Sequence, residues 1–294
     1  MKYYIGSTAV IDNIHFVGQA EDKLGLAGGA GIYALCGARL WTDDVNLVCG
    51  KGTDFLPHFQ HWYDINNLSK EKLRFVKALT PVNDVYYRSE GEREEIPKYG
   101  SQHYKQFEFT EEDFFSLARE NCGIYVFRNT EKAFWQRVLG SNAIRAKILW
   151  EIAGDACEPE YLPEIKKIAA KVDILSINLN EAKKIFRTEN KTKIEEALRN
   201  LDVPLVFLRL GKQGQVFLTP NDRCYVPSIS TVRIVDVTGG GNSSSGAVLV
   251  GACEHRSLSE IGTMANLSAI MCLSQFGAPH VINDFRIKDL EHFD

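Results

Sequence analysis

Short apolar runs alternate with longer amphipathic stretches along this 294-residue chain, and this alternation restricts the fold more than any other feature. The runs have the length and the apolar or β-branched composition of strands that are covered on both faces. They are residues 45–49, 123–127, 146–150, 174–177, 205–209 and 215–219. Residues 162–171 and 193–201 place apolar side chains at helical spacing. Strands that alternate with helices need crossover connections, so the sequence predicts an α/β fold with a mostly parallel sheet.

Two regions interrupt this alternation. Residues 12–27 pass from a strand to a glycine-rich turn through mixed polarity, and residues 80–106 contain a strand pattern followed by a charged turn at residues 90–95. Because no proline- or serine-rich linker separates either region from the rest, we predict a single domain over residues 1–294. In that domain the two segments form a small β lid, and the alternative is two separate surface excursions.

Charge and cysteine content bear on the partners and the compartment. The chain has 34 Lys and Arg residues against 38 Asp and Glu residues, and so lacks the basic excess of a nucleic-acid binder. We expect neither a signal peptide nor a membrane helix, because no window approaches the ~18 apolar residues that a membrane span needs. The seven cysteines are odd in number and none stands in C-x-x-C spacing. This indicates reduced thiols, mostly buried with at most one reactive, and hence a cytoplasmic protein.

The strongest local motif is residues 236–246, Asp-Val-Thr-Gly-Gly-Gly-Asn-Ser-Ser-Ser-Gly, which leads into a helix rich in small residues. At such a helix start the backbone N–H groups of Gly239, Gly240 and Gly241 can converge on an anion. The helix dipole adds about half a positive charge there. The motif therefore predicts an anion site, and the alternative is a tight strand-to-helix turn without a ligand.

A second glycine-rich segment matches the dinucleotide-binding pattern G-x-G-x-x-A at Gly29, Gly31 and Ala34. In a dinucleotide-binding fold these glycines follow the first strand directly, with an acidic residue about 20 positions further on. Here the first strand ends near Gly6, and the intervening residues do not form a tight turn. The dinucleotide interpretation is therefore disfavoured.

Two further segments stand at the ends of predicted strands, where open α/β sheets bind ligands. Asn178 and Glu181 follow the strand at residues 174–177. They are placed to organise a hydrated Mg²⁺ ion, to cap a helix, or both. Residues 209–214, Arg-Leu-Gly-Lys-Gln-Gly, close another strand and predict either a phosphate contact or a hairpin turn.

In this order the motifs resemble the PfkB (ribokinase-like) carbohydrate kinase family. The resemblance spans essentially the whole chain and implies a three-layer αβα sandwich with a mostly parallel central sheet and a small β lid. It also implies ATP, Mg²⁺ and phosphoryl transfer to a hydroxyl group of a sugar, nucleoside or related small molecule. A K⁺ ion is a further expectation, because family members often hold a monovalent cation.

The resemblance assigns roles to residues that match the family motifs by position. Those at the substrate are Asp12, Gly28, Gly29 and Tyr33. Those at the nucleotide are Asn178, Glu181, Arg209, Gly211, Gly214 and Asn266. Those at metal ions are Glu181 for Mg²⁺, and Asp236 and Thr238 for the monovalent cation. Those at the reacting phosphate and hydroxyl are Gly239, Gly240, Gly241 and Asn242.

Asn242 and Tyr33 depart from the family pattern. The family has an aspartate at position 242 that acts as general base, and an amide cannot accept a proton at neutral pH. General-base catalysis contributes about 10²–10⁴-fold in rate, whereas phosphoryl transfer depends mainly on positioning and charge stabilisation. Some activity is therefore expected to remain. Tyr33 replaces the asparagine that is usual in sugar kinases, so we expect an altered sugar pocket.

The sequence thus supports a small-molecule kinase weakened by loss of its general base. The alternative is a catalytically inactive kinase-fold protein that binds nucleotide or sugar in a regulatory role. If the base is simply lost, Asn242→Asp is expected to raise the rate at least about tenfold. We also expect a small-molecule substrate, no nucleic acid or membrane partner, and a homodimer through the edges of the lid strands.

Overall fold

The structure is a computed structural model that describes residues 1–16, 21–87, 93–229 and 233–282. Its strands are β1 (Lys2–Gly6), β2 (Val10–Phe16), β3 (Lys23–Gly28), β4 (Val45–Lys51), β5 (Leu73–Phe75), β6 (Val82–Tyr87), β7 (Arg93–Pro97), β8 (Cys122–Arg128), β9 (Lys147–Ile152), β10 (Ile174–Asn178), β11 (Leu205–Arg209), β12 (Gln215–Leu218) and β13 (Arg223–Val226). Its helices are α1 (Ala30–Arg39), α2 (Phe55–Ile65), α3 (Ser101–Lys105), α4 (Glu111–Leu117), α5 (Lys132–Leu139), α6 (Leu162–Ala169), α7 (Leu179–Phe186), α8 (Lys191–Arg199), α9 (Gly240–Cys253) and α10 (Leu258–Leu273). Parts of the first lid segment and of the predicted charged turn lie outside the described residues.

The main sheet has nine strands in the order β13-β12-β11-β10-β9-β8-β1-β4-β5. From β11 to β5 all neighbours are parallel, and the β11-β12-β13 edge is antiparallel. Every apolar run predicted as a strand lies in this sheet. The prediction of a mostly parallel α/β sheet is therefore confirmed.

Two hydrophobic cores cover the two faces of the sheet. Along β1, Tyr3 and Ile5 belong to the core that contains α1 and α9, whereas Tyr4 belongs to the core that contains α4 and α5. Successive side chains of a strand point to opposite faces, so this alternation places helices on both sides. The three-layer αβα architecture is confirmed.

Helices α1 and α9 cross so closely that only small residues fit between them. A Cβ atom on Gly37 would come 1.9 Å from the backbone oxygen of Ser243, and one on Gly246 would come 2.1 Å from the backbone oxygen of Ala34. On its other side α9 reaches β10, where the hydroxyl groups of Ser245 and Ser176 are 2.8 Å apart. These contacts hold the start of α9 against the carboxyl end of the sheet.

The two regions that interrupt the alternation come together in a second sheet, of order β3-β2-β6-β7. Strands β2 and β6 pair in parallel between residues 11–16 and 82–87, although they are far apart in the sequence. The two regions therefore form one structure, as predicted, rather than two separate excursions. That this sheet closes over a substrate stays a prediction.

The sequence placed some element ends one or two residues away from their position in the structure. Helix α8 begins at Lys191, two residues before the predicted start, because the Asn190 side chain accepts a hydrogen bond from the backbone N–H of Lys193 at 3.1 Å. Strand β9 continues past the predicted end at Trp150 to include Glu151 and Ile152. The charge of Glu151 ended the apolar pattern without ending the strand.

All seven cysteines are free thiols, and all except the partly exposed Cys224 are buried. This agrees with the prediction of mostly buried reduced thiols. Among the described residues, no helix combines the length and the apolar character needed to cross a bilayer.

Candidate functional site

The carboxyl ends of β9, β10 and β11 lie side by side and face the start of α9. The register pairs Ser176 with Glu151 and Asn178 with Arg209, so three neighbouring strands end in polar side chains at one edge of the sheet. Parallel strands collect their carboxyl ends in this way, and the crevice outside them is where open α/β sheets bind ligands.

Arg209 is the centre of a charged cluster at this edge. Its Nη1 donates a hydrogen bond to Oε1 of Glu151 at 2.6 Å, and its Nη2 lies 3.7 Å from Oε2 of Glu181. Burial lowers the pKa of Arg209, but the two carboxylates outweigh this effect and raise the pKa above its ordinary value. Counted formally, the two carboxyl groups and the one guanidinium carry one net negative charge.

The start of α9 lies directly beside the Arg209 guanidinium. Gly239 precedes the helix with φ of +78°, a left-handed conformation that favours glycine, and it has no side chain with which to cap the helix. A Cβ atom on Gly241 would come 2.1 Å from Nη1 of Arg209. A buried guanidinium thus lies against the first turn of α9, and an anion site at this turn stays a prediction.

Asn242 also belongs to this cluster. Its Nδ2 donates to Oε1 of Glu151 at 3.2 Å and to the hydroxyl oxygen of Tyr125 at 3.3 Å. The Tyr125 hydroxyl donates to Oε2 of Glu151 at 2.9 Å. Burial, and then Glu151, raise the pKa of Tyr125 well above its ordinary value. The amide at position 242 is therefore paired with a carboxylate from β9.

Glu151 and Tyr125 are site residues that the sequence analysis missed. Glu151 is only 2% exposed, and such a carboxylate is rare in a protein interior unless it is paired. The signal that could have revealed it is a single acidic residue near the carboxyl end of the otherwise apolar strand β9. Tyr125 gave no such signal, since tyrosine is common in buried strands.

Asn178 and Glu181 form a reciprocal capping box at the start of α7. The Asn178 side chain accepts from the backbone N–H of Glu181 at 2.9 Å, and Oε2 of Glu181 accepts from the backbone N–H of Asn178 at 2.8 Å. Burial raises the pKa of Glu181, against the opposing effect of Arg209. The capping interpretation is confirmed, and a role in Mg²⁺ binding stays a prediction.

Asp236 and Thr238 form a compact turn before α9. Oδ1 of Asp236 accepts from the backbone N–H and the hydroxyl group of Thr238, at 2.8 and 2.6 Å, and from the hydroxyl group of Tyr87. Oδ2 is buried and has no hydrogen-bond partner within the described residues. An unpartnered carboxylate oxygen inside a protein is costly, so this atom fits the predicted cation.

The residues predicted at the substrate lie where the lid sheet meets α1. Asp12 is buried on β2, and a Cβ atom on Gly28 would come 1.8 Å from Oδ2 of Asp12, so Gly28 makes room for this carboxylate. Gly29, with φ of +88°, caps α1. The ring of Tyr33 is buried and occupies the place where a side chain on Gly239 would otherwise lie. Burial, Asp12 and Asp236 raise the pKa of Tyr33 well above its ordinary value.

The turn between β11 and β12 and the nearby α10 account for the remaining predicted nucleotide residues. Gly214 has φ of +94°, and a Cβ atom there would come 2.3 Å from the backbone oxygen of Val226. Gly211 also has positive φ, but the space around its Cβ position is open. The Asn266 amide donates to the backbone oxygen of Pro227 at 2.8 Å and accepts from Gln215 at 3.3 Å. The hairpin interpretation is confirmed, and nucleotide contacts stay predictions.

A cavity of about 670 Å³ opens at the same edge of the sheet, beyond the ends of β1, β8 and β9. Thr8 and Tyr104, whose hydroxyl oxygens are 2.8 Å apart, line one side, and Arg128 lines another. None of the residues predicted at the substrate is part of its described lining. The cavity therefore lies beside the site at α9 rather than on it.

Comparison with known proteins gives a consistent result. The sequence model of the pfkB family carbohydrate kinases matches residues 145–284. An uncharacterized protein of Schizosaccharomyces pombe is 23% identical over 323 aligned residues, which cover 92% of this chain and 83% of that protein.

Solved structures share the fold over nearly the whole chain. Adenosine kinase from Sinorhizobium meliloti superposes with a TM-score of 0.78 at 18% identity, covering 96% of this chain and 97% of that one. A ribokinase II-type protein from E. coli in complex with ATP and Mg²⁺ has a TM-score of 0.76 at 14% identity, covering 99% of both chains. The ribokinase-like fold and the resemblance to the PfkB family are confirmed.

Proposed function

We propose that this protein is a kinase that transfers the terminal phosphoryl group of ATP to a hydroxyl group of a small molecule such as a sugar or a nucleoside. The observation that carries the proposal is the start of α9, where the helix turn that follows Gly239 lies against the guanidinium group of Arg209. Amides and a guanidinium held in place before the reaction stabilise a transferring phosphoryl group without having to reorganise.

The nucleotide would lie across the ends of β10 and β11. Asn178, Glu181 and Arg209 stand at this edge beside α9, and the open space at Gly211 leaves room for a ligand next to the turn. Gly214 shapes that turn, and Asn266 holds the neighbouring backbone at Pro227. The match of the kinase family model to residues 145–284 supports this arrangement, since it includes all these residues.

The negative charge of the site favours a bound metal ion. Glu151, Glu181 and Arg209 leave one net negative charge beside the predicted phosphate position, which by itself repels a triphosphate. The residues present therefore fit Mg²⁺, with Glu181 as the carboxylate that would hold it. A bound Mg²⁺ ion neutralises the charge that develops on phosphate oxygens. The unpartnered Oδ2 of Asp236, together with Thr238, would hold K⁺.

The acceptor would bind between the lid sheet and α9. Asp12 offers a buried carboxylate for a hydroxyl group, and Gly28 and Gly29 provide room beside it. Tyr33 fills part of the space next to Gly239, so the acceptor pocket differs from one lined by asparagine. The neighbouring cavity of about 670 Å³ has the size of a small-molecule pocket and extends the space for an acceptor.

Two measurements test the proposal. Isothermal titration with Mg·ATP measures nucleotide binding, and ADP formation is then measured over a panel of sugars and nucleosides. Arg209→Gln is expected to weaken Mg·ATP binding at least about tenfold, because a charged hydrogen bond is lost. Arg223→Gln removes an exposed arginine that pairs with Glu195, and it serves as the matched control with unchanged binding. Equal affinity in both variants would contradict the assigned nucleotide site.

A second candidate function is a catalytically inactive protein that binds nucleotide or sugar in a regulatory role. Asn242 and Tyr33 favour it, because both depart from the residues that the family uses at the acceptor. Tight binding of Mg·ATP without turnover on any acceptor would support this function. Turnover on a member of the panel would exclude it.

The remaining parts of the proposal concern the oligomeric state of the protein and its cellular compartment. The edges of the lid sheet are β3 and β7, and each exposes an apolar side chain, Leu24 at 62% and Ile96 at 44%. Open sheet edges favour pairing with a second copy, so we propose a homodimer through the lid. The free and mostly buried thiols favour a reducing compartment, so we also propose that the protein lies in the cytoplasm. Sedimentation equilibrium would contradict the dimer if it gave the monomer mass at micromolar concentration.

A further inference from the structure

Glu151 is held by three donors from three different elements. Oε2 accepts from the hydroxyl group of Tyr125 on β8, and Oε1 accepts from Arg209 on β11 and from Asn242 on α9. All three partners donate, which is the arrangement that a carboxylate side chain accepts. A carboxylate offers about two lone-pair positions on each oxygen, so the position that remains for a further donor is on Oε2.

Asn242 is the residue that this carboxylate requires as its neighbour. Its Nδ2 lies 3.2 Å from Oε1 of Glu151. An aspartate at position 242 would set a second carboxylate at that distance, and the two like charges would repel each other beside the single guanidinium of Arg209. The amide instead donates a hydrogen bond. The site thus has one carboxylate next to the start of α9. It comes from Glu151 on β9 rather than from position 242 on α9.

We infer that Glu151 is the catalytic base of this site and that the carboxylate expected at position 242 has moved to β9. This inference rests on the proposed kinase function.

In the reaction, the acceptor hydroxyl oxygen forms a bond to the terminal phosphorus of ATP. The bond from that phosphorus to the bridging oxygen breaks, and its electron pair leaves with ADP. The hydroxyl proton passes to Oε2 of Glu151, the oxygen that accepts only from Tyr125, and from there to water. Asn242 and Tyr125 hold the carboxylate in position throughout.

An exchange of the two polar groups tests the inference. The variants are Glu151→Gln, Asn242→Asp and the double variant, each measured for ADP formation with the best acceptor or, without one, with water. Glu151→Gln is expected to lower turnover at least about 100-fold while the Kd for Mg·ATP changes less than about threefold. Asn242→Asp alone is expected not to raise turnover. The double variant is expected to recover at least about tenfold over Glu151→Gln, because it restores a single carboxylate.

Two further variants keep the test decisive. Glu195→Gln makes the same chemical change at an exposed pair with Arg223, and it is expected to keep wild-type turnover. If Glu151→Gln does not fold, Glu151→Asp keeps the charge but shortens the side chain by one methylene. It is expected to lower turnover at least about tenfold with a melting temperature near that of the wild type.

The outcomes separate this inference from the proposed function. Wild-type turnover that survives in a folded Glu151 variant would overturn the inference alone. So would a gain of about tenfold in Asn242→Asp, which is the result expected if the base is simply lost. If Glu151 has only a structural role, the double variant is expected to be as inactive as Glu151→Gln. Absence of turnover in the wild type on all acceptors would overturn the proposed function, and the inference with it.

Discussion

The guanidinium group of Arg209 lies against Gly241, with Nη1 2.1 Å from the place that a Cβ atom would occupy. No residue other than glycine fits at this position without moving the Arg209 side chain. The contact joins the carboxyl end of β11 to the first turn of α9, and it brings a positive charge to amides that already favour an anion. Gly241 is therefore required for the charge of the site more than for the conformation of the helix.

Gly241→Ala is expected to weaken both nucleotide binding and stability. The added methyl group moves the Arg209 guanidinium away from the buried carboxylate of Glu151, so the free energy of unfolding should fall by about 1–3 kcal/mol or more. The Kd for Mg·ATP should rise about tenfold, because Arg209 leaves the phosphate position. Titration calorimetry and urea unfolding measure the two effects. Gly154→Ala, where the Cβ position is open, is the control, and equal affinities would refute the prediction.

Gly37→Ala is expected to destabilise the fold at the contact between α1 and α9. Its Cβ atom would come 1.9 Å from the backbone oxygen of Ser243, and helix backbone cannot move aside as a side chain can. Overpacking of this kind costs about 1–3 kcal/mol or more in the free energy of unfolding. Urea unfolding should show this loss, with Gly154→Ala again unchanged. A loss below about 0.5 kcal/mol would mean that α1 and α9 are less tightly packed than described.

Tyr33→Ala is expected to destabilise the fold by about 3–5 kcal/mol, because it empties the buried space beside Gly239. Tyr33→Phe keeps the ring and should lose less than about 1.5 kcal/mol. Urea unfolding of the two variants compares them directly. Similar losses in both would assign the stability to the hydroxyl group instead of the ring.

Asp236→Asn is expected to remove a stabilising effect of K⁺. The neutral amide keeps the size of the side chain but loses the charge of the unpartnered Oδ2. The melting temperature of the wild type should be at least about 2 °C higher in K⁺ than in tetramethylammonium at equal ionic strength. The variant should show no such difference, whereas the exposed Asp222→Asn should behave as the wild type. A wild type that does not respond to K⁺ would argue against the cation site.

The lid sheet is expected to contribute stability that depends on pH. The hydrogen bond to Asp22 raises the pKa of His15; burial opposes this effect, and Asp84 adds to it. The folded state therefore binds the proton more tightly than the unfolded state. The stabilisation is complete below the ordinary pKa of histidine and is lost as pH rises through the raised value.

The measurement compares the wild type with His15→Gln by urea unfolding at about pH 5.5 and about pH 8.5. The difference in the free energy of unfolding between the wild type and His15→Gln should be larger at the lower pH. Asp22 and Asp84 both have lowered pKa values, so their charge persists at both pH values. An equal or larger difference at the higher pH would contradict the assignment.

The architecture of the main sheet can be predicted from the order of residues alone. Each strand that is buried on both faces must be apolar throughout, and this requirement is local, so the runs at residues 174–177 and 205–209 could be recognised without knowing their neighbours. The same holds for the helix starts. Asn178 and Glu181, and the glycines that lead into α9, have patterns that depend on residues only a few positions apart.

Which side chains act together depends instead on how the elements pack in three dimensions. Glu151 is 58 positions from Arg209 and 91 positions from Asn242, and Tyr125 is 117 positions from Asn242. In the sequence, Asn242 indicated the loss of a carboxylate, and Glu151 marked no more than the end of an apolar run. Their pairing follows from the order of β8, β9, β10 and β11 in the sheet and from the packing of α9 across the ends of these strands. A hydrogen bond acts only within about 3 Å, and the distance between two remote residues is set by the packing of the elements that carry them.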